Sequence, residues 1–325
     1  MSEPQGLNWL RWPKPSQDWT RYLAIAMDAD RPLTGAPLEP LPLGALPPLP
    51  PLGLAVVGHV EWVSFVGVDH LPRAGEIQRA SHSQDLAAGG GAVIAVQLAK
   101  LTGQRIPFFT ALGRDRIGEL AAEQLESLGL DLQVAWREAP SRRAVTFIDS
   151  SGERTITVIG ERLSPTAADP LAWASLSACD GVFVTAADAA ALAWSRRARL
   201  LVATPRLGLK LIQQSGLQLD ALIGSAADPG EIYRPEDLDP APTLYVGTEA
   251  ERGGFCWPGG RFSAVPMPGP AVDCYGAGDS FAAGVTAGLA AGWSRQQALS
   301  LGCHCGAACI GGRGPYANQL ELAGI

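Results

Sequence analysis

From Leu54 onward the chain alternates short apolar runs with longer stretches of helical periodicity. Leu54–Gly58, Pro107–Leu112, Gly181–Thr185, Leu200–Thr204, Ala221–Gly224 and Thr243–Val246 are runs of strand length bounded by glycine, proline or polar residues. Between and after them, helices are predicted over Ala92–Leu101, Glu119–Leu128, Phe281–Trp293 and Gln296–Ile310. Such alternation predicts an α/β fold: a central, mostly parallel sheet with helices on both faces. Two segments depart from it. Polar and apolar residues mix from Glu61 to Ala88, and Arg143–Ile148 with Arg154–Ile159 read as a hairpin around Ser150-Ser151-Gly152. Both suit a smaller sheet.

The first 51 residues read differently, holding eleven of the chain's 26 prolines. Within this arm Ser16 caps a predicted amphipathic helix over residues 17–27, with Trp19, Tyr22, Leu23, Ala26 and Met27 on one face. That face is expected to dock on the main domain or on a second subunit. Residues 52–325 form the second predicted unit, long enough for one large domain. The net charge of −7 gives no reason to expect nucleic acid or an anionic membrane as partner. No secretory signal or membrane span is legible, so a cytoplasmic protein is expected. Cys303, Cys305 and Cys309 lie on one predicted helix without a second Cys-x-x-Cys pair, which favours buried thiols over a zinc site.

Candidate chemistry concentrates at Asp273-Cys274-Tyr275-Gly276-Ala277-Gly278-Asp279. A glycine-rich turn opens onto a helix, where unpaired backbone N–H groups and the helix dipole favour an anion. Asp279 stands where a carboxylate could take a proton from a hydroxyl beside that anion. Together these are the equipment for phosphoryl transfer to an alcohol. The bland alternative is an aspartate capping a helix after a tight turn.

This run resembles the C-terminal signature of the ribokinase-like (PfkB) sugar and nucleoside kinase family, with Cys274 in place of a usual threonine. The order of weaker motifs across roughly residues 53–325 matches as well: a Gly-Gly helix start, Gly113-Arg114-Asp115-Arg116-Ile117-Gly118, a second pair of lid strands, then the Gly-Ala-Gly-Asp helix. The resemblance implies a ribokinase-like fold whose small β-sheet lid covers about 59–88 and 141–162. It implies ATP-dependent phosphorylation of a primary hydroxyl on a sugar or similar small molecule, with Asp279 as base and Gly276, Ala277 and Gly278 as the anion hole. It implies ATP and Mg²⁺ as cofactors, K⁺ as an activator, and a homodimer formed through the lid.

Carried over position by position, the resemblance makes Gly89, Gly90 and Gly91 a substrate-binding element, although Val93 stands where the family has an asparagine. Val63 replaces the family's substrate-binding aspartate. Glu61 shares a strand face with Val63 and is a replacement carboxylate, with His59 beside it; the alternative is that both face solvent at the lid edge. Ser225 and Asp228 match a segment that organises Mg²⁺ and phosphate. Thr248, Ala250 and Gly253 match a nucleotide-binding turn, with Ala250 replacing a glycine. Asp273, Tyr275, Cys309, Gly312, Gly314 and Asn318 match positions around a monovalent cation. The departures at Val63, Val93 and Ser225 keep open a catalytically weak small-molecule sensor, and Trp62 as a stacking surface keeps open a nucleoside acceptor.

Overall fold

The computed structural model describes residues 36–322. The predicted helix over 17–27 lies outside them. Strand β1 (Leu54–Val57) sits inside a nine-stranded sheet of order β13-β12-β11-β10-β9-β8-β1-β4-β5. Strands β4 (Ile106–Gly113), β5 (Leu130–Arg137), β8 (Gly181–Val184), β9 (Leu201–Ala203), β10 (Ala221–Ser225) and β11 (Leu244–Thr248) run parallel to β1. Two antiparallel strands, β12 (Gly254–Trp257) and β13 (Gly260–Phe262), finish one edge.

Alternation along β1 divides the core. Leu54 and Val56 pack with α1 (Gly90–Thr102), α5 (Ala277–Ala290) and α6 (Arg295–Cys309), whereas Ala55 and Val57 face the opposite layer. That second layer contains α3 (Ala189–Ser195) and α4 (Leu209–Ser215). Helix α2 (Arg116–Ser127) packs beside β5. A strand buried on both faces must be apolar throughout, which is why these runs show no polar alternation.

The smaller sheet has the order β3-β2-β6-β7. Its strands are β2 (Glu61–Gly67), β3 (His82–Ala88), β6 (Arg143–Ile148) and β7 (Arg154–Ile159). The hairpin read around Ser150-Ser151-Gly152 is the antiparallel β6–β7 pair. Strand β2 buries Glu61, Val63 and Phe65 on one face, and Phe65 meets the Tyr275 ring edge-on at 4.9 Å between centroids.

Two features set the position of α5. Glycines let α6 approach closely: a Cβ on Gly284 would stand 2.8 Å from the Gly302 Cα, and one on Gly302 would stand 2.9 Å from the Phe281 carbonyl. Residues after Pro37 then brace α6 from outside. Leu38 exchanges backbone bonds with Arg261 and Ser263, and His304 Nε2 lies 2.9 Å from the Leu41 carbonyl. The proline-rich stretch, as far as it is described, therefore lies on the domain surface. Cys303, Cys305 and Cys309 are buried free thiols, as their helical spacing predicts.

Candidate active site

The carboxyl ends of β1, β8, β9 and β10 open at one edge of the large sheet, beside the small sheet. In open α/β sheets ligands bind at this edge, where the strand order reverses direction. Here β1 lies between β4 on one side and β8 on the other, so the reversal falls at β1.

Helix α5 begins at this edge. Gly276 is its N-cap with φ of 83°, a left-handed conformation that a side chain would strain. Among the described residues the amides of Gly276, Gly278 and Asp279 donate to no acceptor, and the Ala277 amide makes only a 3.4 Å bond to the Cys274 carbonyl. A Cβ on Gly278 would meet nothing within 4 Å. The result is an open cradle of amide donors at a helix N-terminus, fitted to phosphate.

Asp279 occupies the first turn but does not cap the helix, and its carboxylate accepts no hydrogen bond among the described residues. Capping aspartates elsewhere in the chain behave otherwise. Asp115 accepts from the Gly118 amide at 2.8 Å, and Asp188 from the Ala191 amide at 2.7 Å. The bland reading thus describes those two residues and fails at Asp279. Solvent reaches part of the Asp279 side chain, yet protein surrounds it closely. Burial raises its pKa to about 7, Glu231 adds to the rise, and Arg154 and Arg206 oppose it. A carboxylate titrating near neutrality is matched to proton transfer at working pH.

The glycine turn before α1 completes the floor. A Cβ on Gly90 would stand 2.9 Å from Asp279 Oδ1 and 3.8 Å from the His59 ring. Gly89 donates its amide to the Tyr275 hydroxyl at 3.2 Å. Tyr275 therefore joins the anion cradle, the glycine turn and, through Phe65, the small sheet. Val93 is buried with its methyl 3.1 Å from where a Gly276 Cβ would stand, so it contributes packing only.

His59 and Glu61 do not face solvent: both are buried. Register explains their position. Glu61 pairs with Ala88, which sets it against Gly89, while Trp62 pairs with Arg143, which sets Arg142 beside Glu61. Arg142 Nε lies 2.9 Å from Glu61 Oε1, without the alignment of a hydrogen bond. His59 Nδ1 lies 3.3 Å from the Thr185 hydroxyl, and Nε2 lies 3.8 Å from Glu61. Burial first, and then Arg162, Arg142 and Arg206, lower the His59 pKa to about 3, so the imidazole is neutral. Burial raises the Glu61 pKa against the pull of Arg142 and Arg162.

Other candidate positions divide. Asp273 Oδ1 accepts from the Tyr275 amide and Oδ2 from the Gly314 amide, each at 2.8 Å, so these three come together around a buried carboxylate. The Cys309 thiol lies 3.5 Å from the carbonyls of Tyr275 and Pro315. Gly312 follows on the same turn, packed against Asn318. Ser225 and Thr248 are adjacent in the β10–β11 register. Ala250 has φ of 52°, the only non-glycine left-handed residue among those described, which explains a family glycine here; Gly253 follows at 81°.

Asp228 has partners of its own. It is bound by Arg206 and by the Gly230 amide, while Glu231, three residues on, bears on Asp279. Arg206 pairs with Glu231 as well, and Glu231 also accepts from the Ser225 amide at 2.8 Å. Sequence reasoning missed Glu231 and the four arginines Arg142, Arg154, Arg162 and Arg206. Their only signal was a charged residue flanking a predicted strand, which many surface residues share. Among the described residues no three His, Cys, Asp or Glu side chains cluster as a metal site, and no helix is long and apolar enough to cross a membrane.

The sequence matches the model for pfkB family carbohydrate kinases over residues 52–207 and 243–321. It is 25% identical to a ribokinase of Arabidopsis thaliana, covering 84% of this chain and 79% of that protein. It is 29% identical to an ATP-dependent ribose-1-phosphate kinase of Halopiger xanaduensis, covering 79% of this chain and 91% of that one. The structure resembles that of ribokinase from Thermotoga maritima, with TM-score 0.66 and 21% identity over 84% of this chain and 97% of the other.

Proposed function

The chain belongs to the pfkB family of carbohydrate kinases, ATP-dependent enzymes, and from that premise we propose that it transfers a phosphoryl group to a primary hydroxyl of a sugar or sugar-like molecule at Asp279. One observation carries the reading. A carboxylate with no hydrogen-bond partner and a pKa near 7 stands in the first turn of α5, beside open amide donors.

Asp279 takes the acceptor's proton as the hydroxyl oxygen attacks. The amides of Gly276, Gly278 and Asp279, aided by the helix dipole, hold the oxygens of the moving phosphoryl group. Arg154, reaching in from the small sheet, and Arg206 add positive charge beside Asp279. His59 and Glu61, on the glycine turn's side of the pocket, hold acceptor hydroxyls. Thr248, Ala250 and Gly253 line the nucleotide. The small sheet excludes water, which would otherwise compete as the acceptor. Mg²⁺, when bound with the nucleotide, would neutralise phosphate charge, and Asp228 and Glu231, both paired with Arg206, are the acidic residues that would hold it through water. The carbonyls around Asp273, Tyr275 and Gly314 suit a K⁺ ion. The chain's six free thiols suit the reducing cytoplasm, where ATP is abundant.

The test is ADP release from Mg-ATP with a panel of sugars and nucleosides, in K⁺ and in Na⁺. Acceptor-dependent release that vanishes in Asp279→Asn supports the reading; release at the wild-type rate in that variant overturns it. We also propose a second copy of the chain on strand β7, the outer strand of the small sheet, where Ile156, Val158 and Ile159 are exposed. Unpaired apolar edges favour association. Sedimentation should give a dimer that Val158→Asp converts to monomer; a monomeric wild type removes the proposal.

A further inference from the structure

Three guanidinium groups gather around His59 and Glu61, and one of them, Arg206, also bears on Asp279. Arg142 precedes β6, Arg162 follows β7, and Arg206 follows β9. Pairing of Arg143 with Ile159 brings the first two to the same end of the small sheet as Glu61 and Gly89. Arg162 Nη1 donates to the Arg206 carbonyl at 2.8 Å. Arg206 is occupied by Asp228 and Glu231, and Arg142 lies against Glu61. Among the described residues Arg162 pairs with no carboxylate, although it is half-buried and both other arginines disfavour its charge.

Carboxylates match Arg142 and Arg206, which leaves Arg162 as the uncompensated charge, penalised by desolvation and by repulsion from the other two guanidinium groups. An oxyanion seated between them removes both penalties, and guanidinium groups bind carboxylate and phosphate in a fork geometry. The phosphoryl donor does not explain this end of the cleft. The arginines that bear on Asp279 are Arg154 and Arg206, whereas those bearing most on His59 and Glu61 are Arg162 and Arg142. Neutral His59 and the glycine turn lie between the two ends, a spacer suited to the hydroxylated carbons of one sugar.

We propose that the acceptor is an acidic monosaccharide, whose carboxylate or phosphate is held by Arg142 and Arg162 while its distal hydroxyl lies at Asp279. This rests on the kinase reading above. It adds that the enzyme selects its substrate by charge, and that the product carries two anionic groups.

The experiment uses the full chain with three sets of acceptors: neutral pentoses and hexoses, their monophosphates, and the matching sugar acids. One acidic set should support ADP release at kcat/KM at least about tenfold above the neutral set, and which set does so separates phosphate from carboxylate. Arg162→Gln should raise KM for that acceptor about 10- to 100-fold with KM for ATP unchanged, the loss expected for one charge-assisted contact. Arg142→Gln serves as the second variant, and thermal melts confirm that both fold. Binding is read separately on Asp279→Asn protein, as a rise in Tm with added acidic sugar that Arg162→Gln removes. If no acceptor turns over, the kinase reading fails, and this binding measurement still decides the proposal. A preference for neutral sugars, or no response to acidic sugars in the melt, overturns it.

Discussion

Replacing Asp279 with asparagine keeps the shape of the side chain and removes its titrating group, so one substitution tests both its chemistry and its energetic cost. The carboxylate's ordinary pKa is 3.8, and burial raises it to about 7 in the folded protein. The folded state therefore retains a proton that the unfolded chain has released. Stability falls as pH rises from the unfolded pKa to the folded one, and above about 7 the full penalty is in place. At about 1.4 kcal/mol per unit, a shift of about three units sets an upper bound near 4 kcal/mol. Water reaching the side chain reduces this to about 1–3 kcal/mol. The neutral amide of Asp279→Asn carries no such penalty. The variant should melt about 2–6 °C above wild type at about pH 8, with the gain shrinking toward about pH 5, using roughly 2 °C per kcal/mol for a chain of this size. Turnover should fall about 100- to 10,000-fold, the range for loss of a general base. The wild-type kcat/KM profile should rise through an acid limb near pH 7, because the base must be ionised to accept a proton. Scanning fluorimetry across pH and a coupled ADP assay measure both. An acid limb in the ordinary carboxylate range, or a Tm difference that does not change with pH, would refute the buried-base argument.

Gly302→Val should destabilise the domain by about 1–3 kcal/mol, because its side chain would meet the Phe281 carbonyl and the Val285 methyl; an unchanged melt would show that α5 and α6 can separate. Ala250→Gly should leave the fold intact and raise stability by up to about 1 kcal/mol by relieving a left-handed alanine, and a lowered Tm would contradict that strain. Arg154→Gln should lower kcat/KM for ATP about tenfold or more, since one guanidinium from the small sheet is removed from the phosphate's surroundings; unaltered kinetics would exclude it from the site.

The departures from the family pattern are informative. Val93 and Val63, at the positions the resemblance matches to polar family residues, are both fully buried. Glu61 lies two residues before Val63 on the same face of β2, Arg142 lies just before β6, and Arg162 lies just after β7. Acceptor binding by Glu61, Arg142 and Arg162, as proposed above, would make these departures a change of acceptor rather than decay.

The sequence by itself determined the elements and the glycine turn that opens helix α5. Apolar runs bounded by glycine and proline mark strands because a strand buried on both faces admits no polar alternation. A glycine turn followed by a helix marks an anion cradle because its geometry is local, set by a few consecutive residues. Alternation also determined that Glu61 and Val63 share a face. Only the tertiary structure decided what that face meets. Whether His59 and Glu61 are solvated or buried depends on pairing with β3 and β6, whose residues lie about 20 to 80 positions away in sequence. The pairing of Arg206 with both Asp228 and Glu231 depends on β9 and β10 lying side by side in the large sheet. Arginines from three connections converge at one end of the cleft, and nothing local distinguishes them from surface residues. Charge acts through space, and the distances that make it matter exist only once the two sheets are brought together.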